Sequence, residues 1–81
     1  MDRQARILDE LNELFRDIFA QPYISLTLQT TAAEVAGWDS MKHIEITIAV
    51  EEKYGVRLRA REVDSLHSVG DLVALIERKT T

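Results

Sequence analysis

The chain has 81 residues and no cysteine, so it has room for one small core and none for a disulfide framework, a thiolate metal site or a cysteine nucleophile. Its 46% hydrophobic and 30% charged residues exclude a disordered or fibrous protein, and no apolar run approaches the roughly 20 residues that span a membrane. The net charge of −4 gives no indication of the positively charged surface that binds nucleic acid. We therefore expect a single domain over 1–81, located in the cytoplasm, that binds no nucleic acid and inserts into no membrane.

The first predicted element is an amphipathic helix from about Arg3 to Ala20. Its apolar residues recur with a period near 3.6 and form one stripe, whereas the other side of the helix is charged. Pro22 is expected to stop the helix because it has no N–H and disfavours helical geometry in the residue before it. The stripe consists of Ile7, Leu8, Leu11, Leu14, Phe15, Ile18 and Phe19.

Residues 21–38 are predicted to form a long connection. Ile24, Leu26 and Leu28 alternate as in a strand, but so short a chain offers no partner strand, so we expect an extended loop whose three apolar side chains enter the core. The Thr-x-x-Glu spacing of residues 31–34 predicts one helical turn within the loop. Connections of this length are uncommon in small domains and are usually functional or packed.

Three further helices are predicted after this loop. The second helix runs from Ser40 to Tyr54 and is closed by Gly55, a short third helix covers about 61–66, and the last runs from the cap residue Ser68 to about residue 79. The expected fold is therefore all-α, a small four-helix bundle with three main helices, a short third helix and a long loop between the first two.

The second helix has two apolar sides. Each residue advances about 100° around the helix axis, and one arc of apolar side chains is assigned to the core. Met41 and Ile48 lie outside that arc, and Glu45 and Glu52 lie beside them. These four residues either pack under the long loop or form a docking surface, in which apolar anchors provide affinity and carboxylates provide steering. The residues assigned to the core arc are Ile44, Ile46, Thr47, Val50 and Tyr54.

Ser40 begins the second helix directly after Gly37, Trp38 and Asp39. Asp and Ser are both favoured as helix N-caps, so a capping role is one interpretation of this segment. A hydrolase nucleophile is not expected, because no general base lies at helical spacing and the Gly-x-Ser-x-Gly pattern is absent. A serine hydroxyl here also suits a phosphodiester, since the helix dipole and the first N–H groups stabilise negative charge.

These residues resemble the acyl and peptidyl carrier proteins, whose hallmark is Asp-Ser-Leu or Asp-Ser-Met at the start of the second of four helices. The corresponding residues here are Asp39, Ser40 and Met41. The resemblance covers nearly the whole chain and includes the first helix, the long loop, the Glu-Glu-Lys-Tyr-Gly end of the second helix at 51–55 and the Ser-Val-Gly-Asp-Leu start of the last helix at 68–72.

The resemblance implies a stand-alone monomeric carrier that is not an enzyme and holds no metal. It implies that a phosphopantetheinyl transferase moves 4′-phosphopantetheine from coenzyme A to Ser40, with Asp39 assisting, and that acyl or aminoacyl groups are carried as thioesters. The implied partners are a loading enzyme and a downstream acyltransferase or synthase of fatty-acid, polyketide, nonribosomal-peptide or related secondary metabolism. The residues that match the family's docking face are Met41, Glu45, Ile48 and Glu52.

The chain departs from the strongly acidic pattern of fatty-acid carriers at Lys42 and Lys53 and at three arginines, Arg57, Arg59 and Arg61. The arginines are either solvated loop charge or a different partner surface that discriminates against fatty-acid enzymes.

Two other functions stay open at this stage. One is a helical interaction module with a carrier-like fold that is never modified, and the other is a small enzyme that uses Asp39, Ser40 and a histidine.

No zinc site is expected at His43, which is placed at the edge of the core. Trp38 is more typical of carriers of secondary metabolism, and we expect it to pack on the bundle and hold the loop that presents Ser40.

Overall fold

The computed structural model describes residues 2–80, and these contain four α-helices and no strand. The all-α architecture, with its short third helix and long first loop, is therefore confirmed. No helix in these residues is long and apolar enough to cross a bilayer. The helices are α1 (Arg3–Phe19), α2 (Ser40–Tyr54), α3 (Ala60–Asp64) and α4 (Val69–Lys79), and a 3-10 turn (Ala32–Glu34) lies in the loop between α1 and α2.

The first helix ends one residue earlier than predicted and by a different means. Ala20 adopts a left-handed conformation with φ 53°, and the N–H of Gln21 donates to the carbonyl of Arg16 at 3.1 Å. This left-handed cap satisfies a carbonyl at the helix end before the chain reaches Pro22. The predicted stripe is buried or partly buried along its whole length: Ile7, Leu11, Phe15 and Phe19 are buried, and Leu8, Leu14 and Ile18 pack against the core.

The core lies between α1 and the two helices that pack on it, α2 and α4. Burying one large aliphatic or aromatic side chain contributes roughly 1.5–3 kcal/mol, so these contacts, rather than helix propensity, hold such short helices. The apolar side of α4 is buried and consists of Val69, Leu72, Val73, Leu75 and Ile76. The largest fully buried side chains are Phe15, Leu11, Leu75, Ile76, Val50, Val69 and Val73.

The second helix turns a narrower face to the core than its sequence predicts. Ile46 and Val50 are 3% and 0% exposed, whereas Thr47 and Tyr54 are only half-buried. Ile44 is 55% exposed, so its assignment to the core was wrong. The reason is geometric: at about 100° per residue, Ile44 lies more than about 100° around the helix from both buried residues.

Two polar side chains of α1 hold the long loop in place, and neither was identified from the sequence. Asn12 is buried, and its Oδ1 accepts the backbone N–H of Leu26 at 2.6 Å while its Nδ2 donates to the carbonyl of Leu8 at 3.0 Å. Arg16 donates from Nε to the carbonyl of Ile24 at 2.8 Å. The extended loop therefore satisfies its backbone against helix side chains instead of a partner strand.

The start of α4 holds the same loop from the other side. The N–H groups of Val69 and Gly70 donate to the carbonyls of Thr30 and Leu28, each at 2.8 Å. A Cβ atom at position 70 would lie 2.6 Å from the carbonyl oxygen of Leu28, so this approach requires glycine. The loop side chains predicted to enter the core do so: Leu26 is buried, and Ile24 and Leu28 pack against the core.

Polar contacts also join α1 to the C-terminal ends of α2 and α4. Gln4 donates from Nε2 to Oε1 of Glu77 at 3.0 Å, which brings the beginning of α1 beside the end of α4. The Tyr54 hydroxyl at the end of α2 donates to Oε1 of Glu10 at 2.7 Å. Burial first, and the neighbouring carboxylate second, raise the pKa of Tyr54, so the phenol keeps its proton and this bond at physiological pH.

Candidate functional site

Ser40 is the first residue of α2, and its side chain is exposed. The N-cap is Asp39, whose Oδ1 accepts the backbone N–H of Lys42 at 2.9 Å, so the capping role belongs to Asp39 and not to Ser40. Within residues 2–80 the hydroxyl of Ser40 has no hydrogen-bond partner. The structure therefore leaves this hydroxyl accessible to another molecule.

Trp38 anchors the segment that leads into Ser40, as predicted. Its half-buried ring meets Phe15 edge-on at 5.2 Å and Phe19 at 6.5 Å between ring centroids. Its Nε1–H donates to Nδ1 of His43 at 3.3 Å, and His43 is half-buried at the edge of the core, also as predicted. The aromatic contacts and this hydrogen bond hold the end of the loop against α1 and α2.

Lys42 ties the beginning of α2 to the end of α1. Its Nζ donates to the carbonyl of Ile18 at 3.2 Å, lies 3.4 Å from Oε2 of Glu45 and sits 5.8 Å from the centroid of the Phe19 ring. The carbonyl belongs to the last turn of α1, where a cation is favoured by the helix dipole. Lys42, which departs from the acidic pattern of fatty-acid carriers, therefore has a local structural role beside Ser40.

The electrostatics at Ser40 favour an anionic group. The helix that begins there has 15 residues, and the N–H groups of Ser40 and Met41 have no partner within the helix, whereas that of Lys42 is bound by the Asp39 carboxylate. A phosphodiester on the serine oxygen would lie where these groups and the positive end of the dipole stabilise negative charge. The residues present therefore fit a phosphate-linked group at this position.

Three apolar side chains form an exposed strip along α2 that begins next to Ser40. Met41, Ile44 and Ile48 are 67%, 55% and 49% exposed, and we refer to them as the α2 apolar strip. The alternative that Met41 and Ile48 pack under the long loop is therefore wrong. The exposed carboxylates of Glu45 and Glu52 lie beside the strip, at about 20–40° around the helix from Met41.

Met41, Glu45, Ile48 and Glu52, which the sequence predicts as docking residues, thus lie on one side of α2, and Ile44, which was assigned to the core, is exposed beside them. The i, i+4 spacing of Ile44 and Ile48 is the signal that places them side by side on the helix surface. Exposed apolar side chains gathered in this way are typical of interaction sites.

A shallow groove lies on the surface beside Ser40. It is lined by Asp39, Trp38, His43 and Ile44 in addition to Ser40. His43 and Trp38 also line a cavity of about 50 Å³ beneath α2, so the groove and the cavity share a wall. The cavity lies among α2, α3 and the start of α4, and its apolar lining includes Ile46, Leu58, Val63, Leu66 and Leu72.

Comparisons with known proteins agree with this geometry. The family described as "Phosphopantetheine attachment site" matches residues 9–76. The acyl carrier protein of Acidothermus cellulolyticus is 32% identical over 74 residues, which cover 91% of this chain and 88% of that protein. The meromycolate extension acyl carrier protein of Mycolicibacterium smegmatis is 28% identical over 75 residues, which cover 93% of this chain and 76% of that protein.

A solved structure supports the same assignment. The solution structure of a holo acyl carrier protein from Geobacter metallireducens superposes with a TM-score of 0.84 and 35% sequence identity, and the match covers 89% of this chain and 83% of that one. The family match, the relatives and the shared fold all agree with the exposed serine at the N-terminus of α2. The chain therefore belongs to the acyl carrier proteins, which carry acyl groups on a 4′-phosphopantetheine prosthetic group.

Proposed function

We propose that Ser40 is the residue to which 4′-phosphopantetheine is attached and that Asp39 assists the transferase that attaches it. The observation that carries this proposal is the exposed Ser40 hydroxyl, which has no hydrogen-bond partner in residues 2–80 and stands at the positive end of a 15-residue helix. When bound, the group supplies a terminal thiol that holds the cargo as a thioester. The chain has no cysteine, so the reactive thiol comes from this group and not from a side chain.

The other serines are poorer candidates. Ser65 donates its hydroxyl to the carbonyl of Glu62 at 2.9 Å, and the Ser68 side chain caps α4. Ser25 is exposed but lies in the extended loop, away from any helix N-terminus. Only Ser40 combines an accessible hydroxyl with a helix end that favours a phosphate, and Ser25 is the natural control.

The cargo that best fits the interior is an acyl group. The cavity of about 50 Å³ that shares a wall with the Ser40 groove has a mostly apolar surface, which favours a small hydrocarbon group over a charged aminoacyl group. The names of the relatives, among them carriers of meromycolate extension, agree with an acyl cargo. We therefore favour an acyl cargo over the aminoacyl cargo of nonribosomal peptide synthesis.

We expect the purified chain to gain the mass of one phosphopantetheine when it is incubated with coenzyme A and a broad-specificity phosphopantetheinyl transferase. Intact-protein mass spectrometry before and after incubation is the measurement. A known carrier protein treated in parallel shows that the transferase is active. An unchanged mass beside a modified control would contradict the proposal and favour an unmodified interaction module.

Loading enzymes and later synthases are proposed to dock on the α2 apolar strip and on the carboxylates of Glu45 and Glu52. We expect Glu52→Lys to lower the transferase's kcat/KM by about tenfold at low salt, because charges at the rim of an interface chiefly change the association rate. The loss should shrink as salt rises, since screening weakens the interaction. Glu13→Lys on the exposed side of α1 carries the same charge change and should react like wild type. Equal losses in both variants would remove the docking role.

A further inference from the structure

The segment between α2 and α3, together with the first turn of α3, carries three arginines that face solvent. Arg57 and Arg59 are exposed on either side of Leu58, which is 8% exposed and belongs to the core, so the extended backbone turns both arginines outward. Arg61 follows in the first turn of α3 and is exposed as well. We refer to Arg57, Arg59 and Arg61 as the arginine face.

None of these three arginines has an ion-pair partner among residues 2–80, although carboxylates are close in sequence. Glu51 accepts the backbone N–H of Leu58 at 2.8 Å. Glu62 accepts the backbone N–H of Arg59 at 3.0 Å and pairs with Lys79 at 3.0 Å. These two contacts lower the pKa of Glu62 and keep its carboxylate ionised. Glu51 and Glu62 are therefore engaged by backbone groups and Lys79, and neither forms an ion pair with an arginine, although the charge of Arg59 also helps to lower the pKa of Glu62.

The arginine face adjoins the α2 apolar strip. One surface groove is lined by Ile48, Glu52, Val56 and Arg57, so it passes directly from the strip to the first arginine. A second groove between α2 and α3 is lined by Ile44 and Ile48 on one wall and by Ala60 and Asp64 of α3 on the other. A molecule that covers the strip therefore also meets Arg57, the first residue of the arginine face.

The composition of this surface favours a protein partner over nucleic acid or a lipid surface. Glu52 and Asp64 are exposed beside the arginines, and the chain as a whole has a net charge of −4, so an extended array of phosphates would be repelled. An apolar centre flanked by charged side chains is the anatomy of a protein interface, in which arginine is enriched. Guanidinium groups match carboxylates with two parallel hydrogen bonds.

We propose that the arginine face and the α2 apolar strip together form a docking surface for a partner enzyme that presents carboxylates opposite Arg57, Arg59 and Arg61. The proposal rests on the proposed function, since it concerns the enzymes that a loaded carrier meets. The same charges act against an enzyme that presents lysine or arginine at this place, because like charges opposed across an interface cost affinity.

The probe is a fatty-acid ketosynthase whose carrier-docking surface is lined by lysine and arginine. We expect it to bind the double variant Arg57→Glu/Arg61→Glu with a Kd about tenfold lower than that of the wild type at low salt, and the gain should disappear at high salt. Arg59 is left unchanged because its backbone begins α3. The matched control is Arg6→Glu/Arg78→Glu, which reverses two exposed arginines of α1 and α4 and changes the net charge equally.

A reciprocal variant of the ketosynthase, with its basic docking residues replaced by glutamate, completes a double-mutant cycle. We expect this variant to prefer the wild-type chain over the double variant, which would reverse the order seen with the unaltered ketosynthase. If both ketosynthases bind the wild-type chain and the double variant in the same order of Kd, the proposal is wrong. It is also wrong if the control variant gains as much affinity as the double variant.

Binding is measured on the unmodified chain, by fluorescence anisotropy of a dye on an added N-terminal cysteine. The chain has no cysteine of its own, so the dye has one site. A chain that binds as expected but gains no mass with the transferase would contradict the proposed function and leave the docking surface supported.

Discussion

Replacing Ser40 with alanine is expected to abolish phosphopantetheine loading completely while the fold is retained. The substitution removes the oxygen that must be esterified. It removes no hydrogen bond of the fold, because the cap of α2 is the carboxylate of Asp39 and the Ser40 hydroxyl has no partner in residues 2–80. Alanine is also the best helix former, so it suits the first position of α2. We expect a change in the free energy of unfolding within about 0.5 kcal/mol.

Intact mass after incubation with coenzyme A and the transferase measures the loss of loading, and far-UV circular dichroism with urea denaturation measures the fold. Ser25→Ala, which removes an exposed hydroxyl of the loop, should load like the wild type. A mass gain in Ser40→Ala would show that another residue is modified. Unfolding of that variant would show that Ser40 has a structural role which its contacts do not reveal.

Replacing Phe15 with alanine is expected to have the largest effect on stability. Phe15 is fully buried, and its ring centroid lies 5.8 Å from that of Phe19 and 5.2 Å from that of Trp38. Truncation of a buried phenylalanine costs about 3–5 kcal/mol, because apolar burial is lost and a cavity is left. Domains are stabilised by about 0.05–0.15 kcal/mol per residue, which gives roughly 4–12 kcal/mol for 81 residues, so this loss is a large share of the stability.

Urea denaturation followed by circular dichroism measures this loss. The fluorescence of Trp38, the one tryptophan in the chain, reports at the same time whether the end of the loop leaves the bundle. Tyr23→Ala is the control, since Tyr23 is 93% exposed and its loss should change stability by no more than about 0.5 kcal/mol. A loss below about 1 kcal/mol in Phe15→Ala would mean that Phe15 is not the packing centre of the bundle.

The sequence predicted the helices well because their signals are local. The apolar stripe of α1 is set by spacing alone, and the left-handed turn at Gly55 and the side-chain cap at Ser68 depend on the residues themselves. The Asp-Ser-Met segment was recognised in the same way, and its position at the start of α2 follows from the cap at Asp39. These features need no knowledge of what packs against the helix.

The features that the sequence did not reveal depend on contacts between distant segments. Ile44 lies at the edge of a wide apolar arc, and only the packing of α2 on α1 decides which edge is covered. Asn12 has its partner in the backbone of Leu26, which no local pattern identifies, although a polar residue among the stripe positions of α1 was a visible signal. The glycine requirement at position 70 likewise follows from a loop carbonyl more than 40 residues earlier.

The contact between Gln4 and Glu77 has a practical consequence for handling the protein. It places both described ends of the chain at the beginning of α1, whereas Lys42 ties the Ser40 region to Ile18 near the other end of that helix. The 17 residues of α1 span about 25 Å. Tethering the protein by either terminus, to a bead, a sensor surface or a neighbouring module, therefore leaves the serine at the distal end, within reach of incoming enzymes.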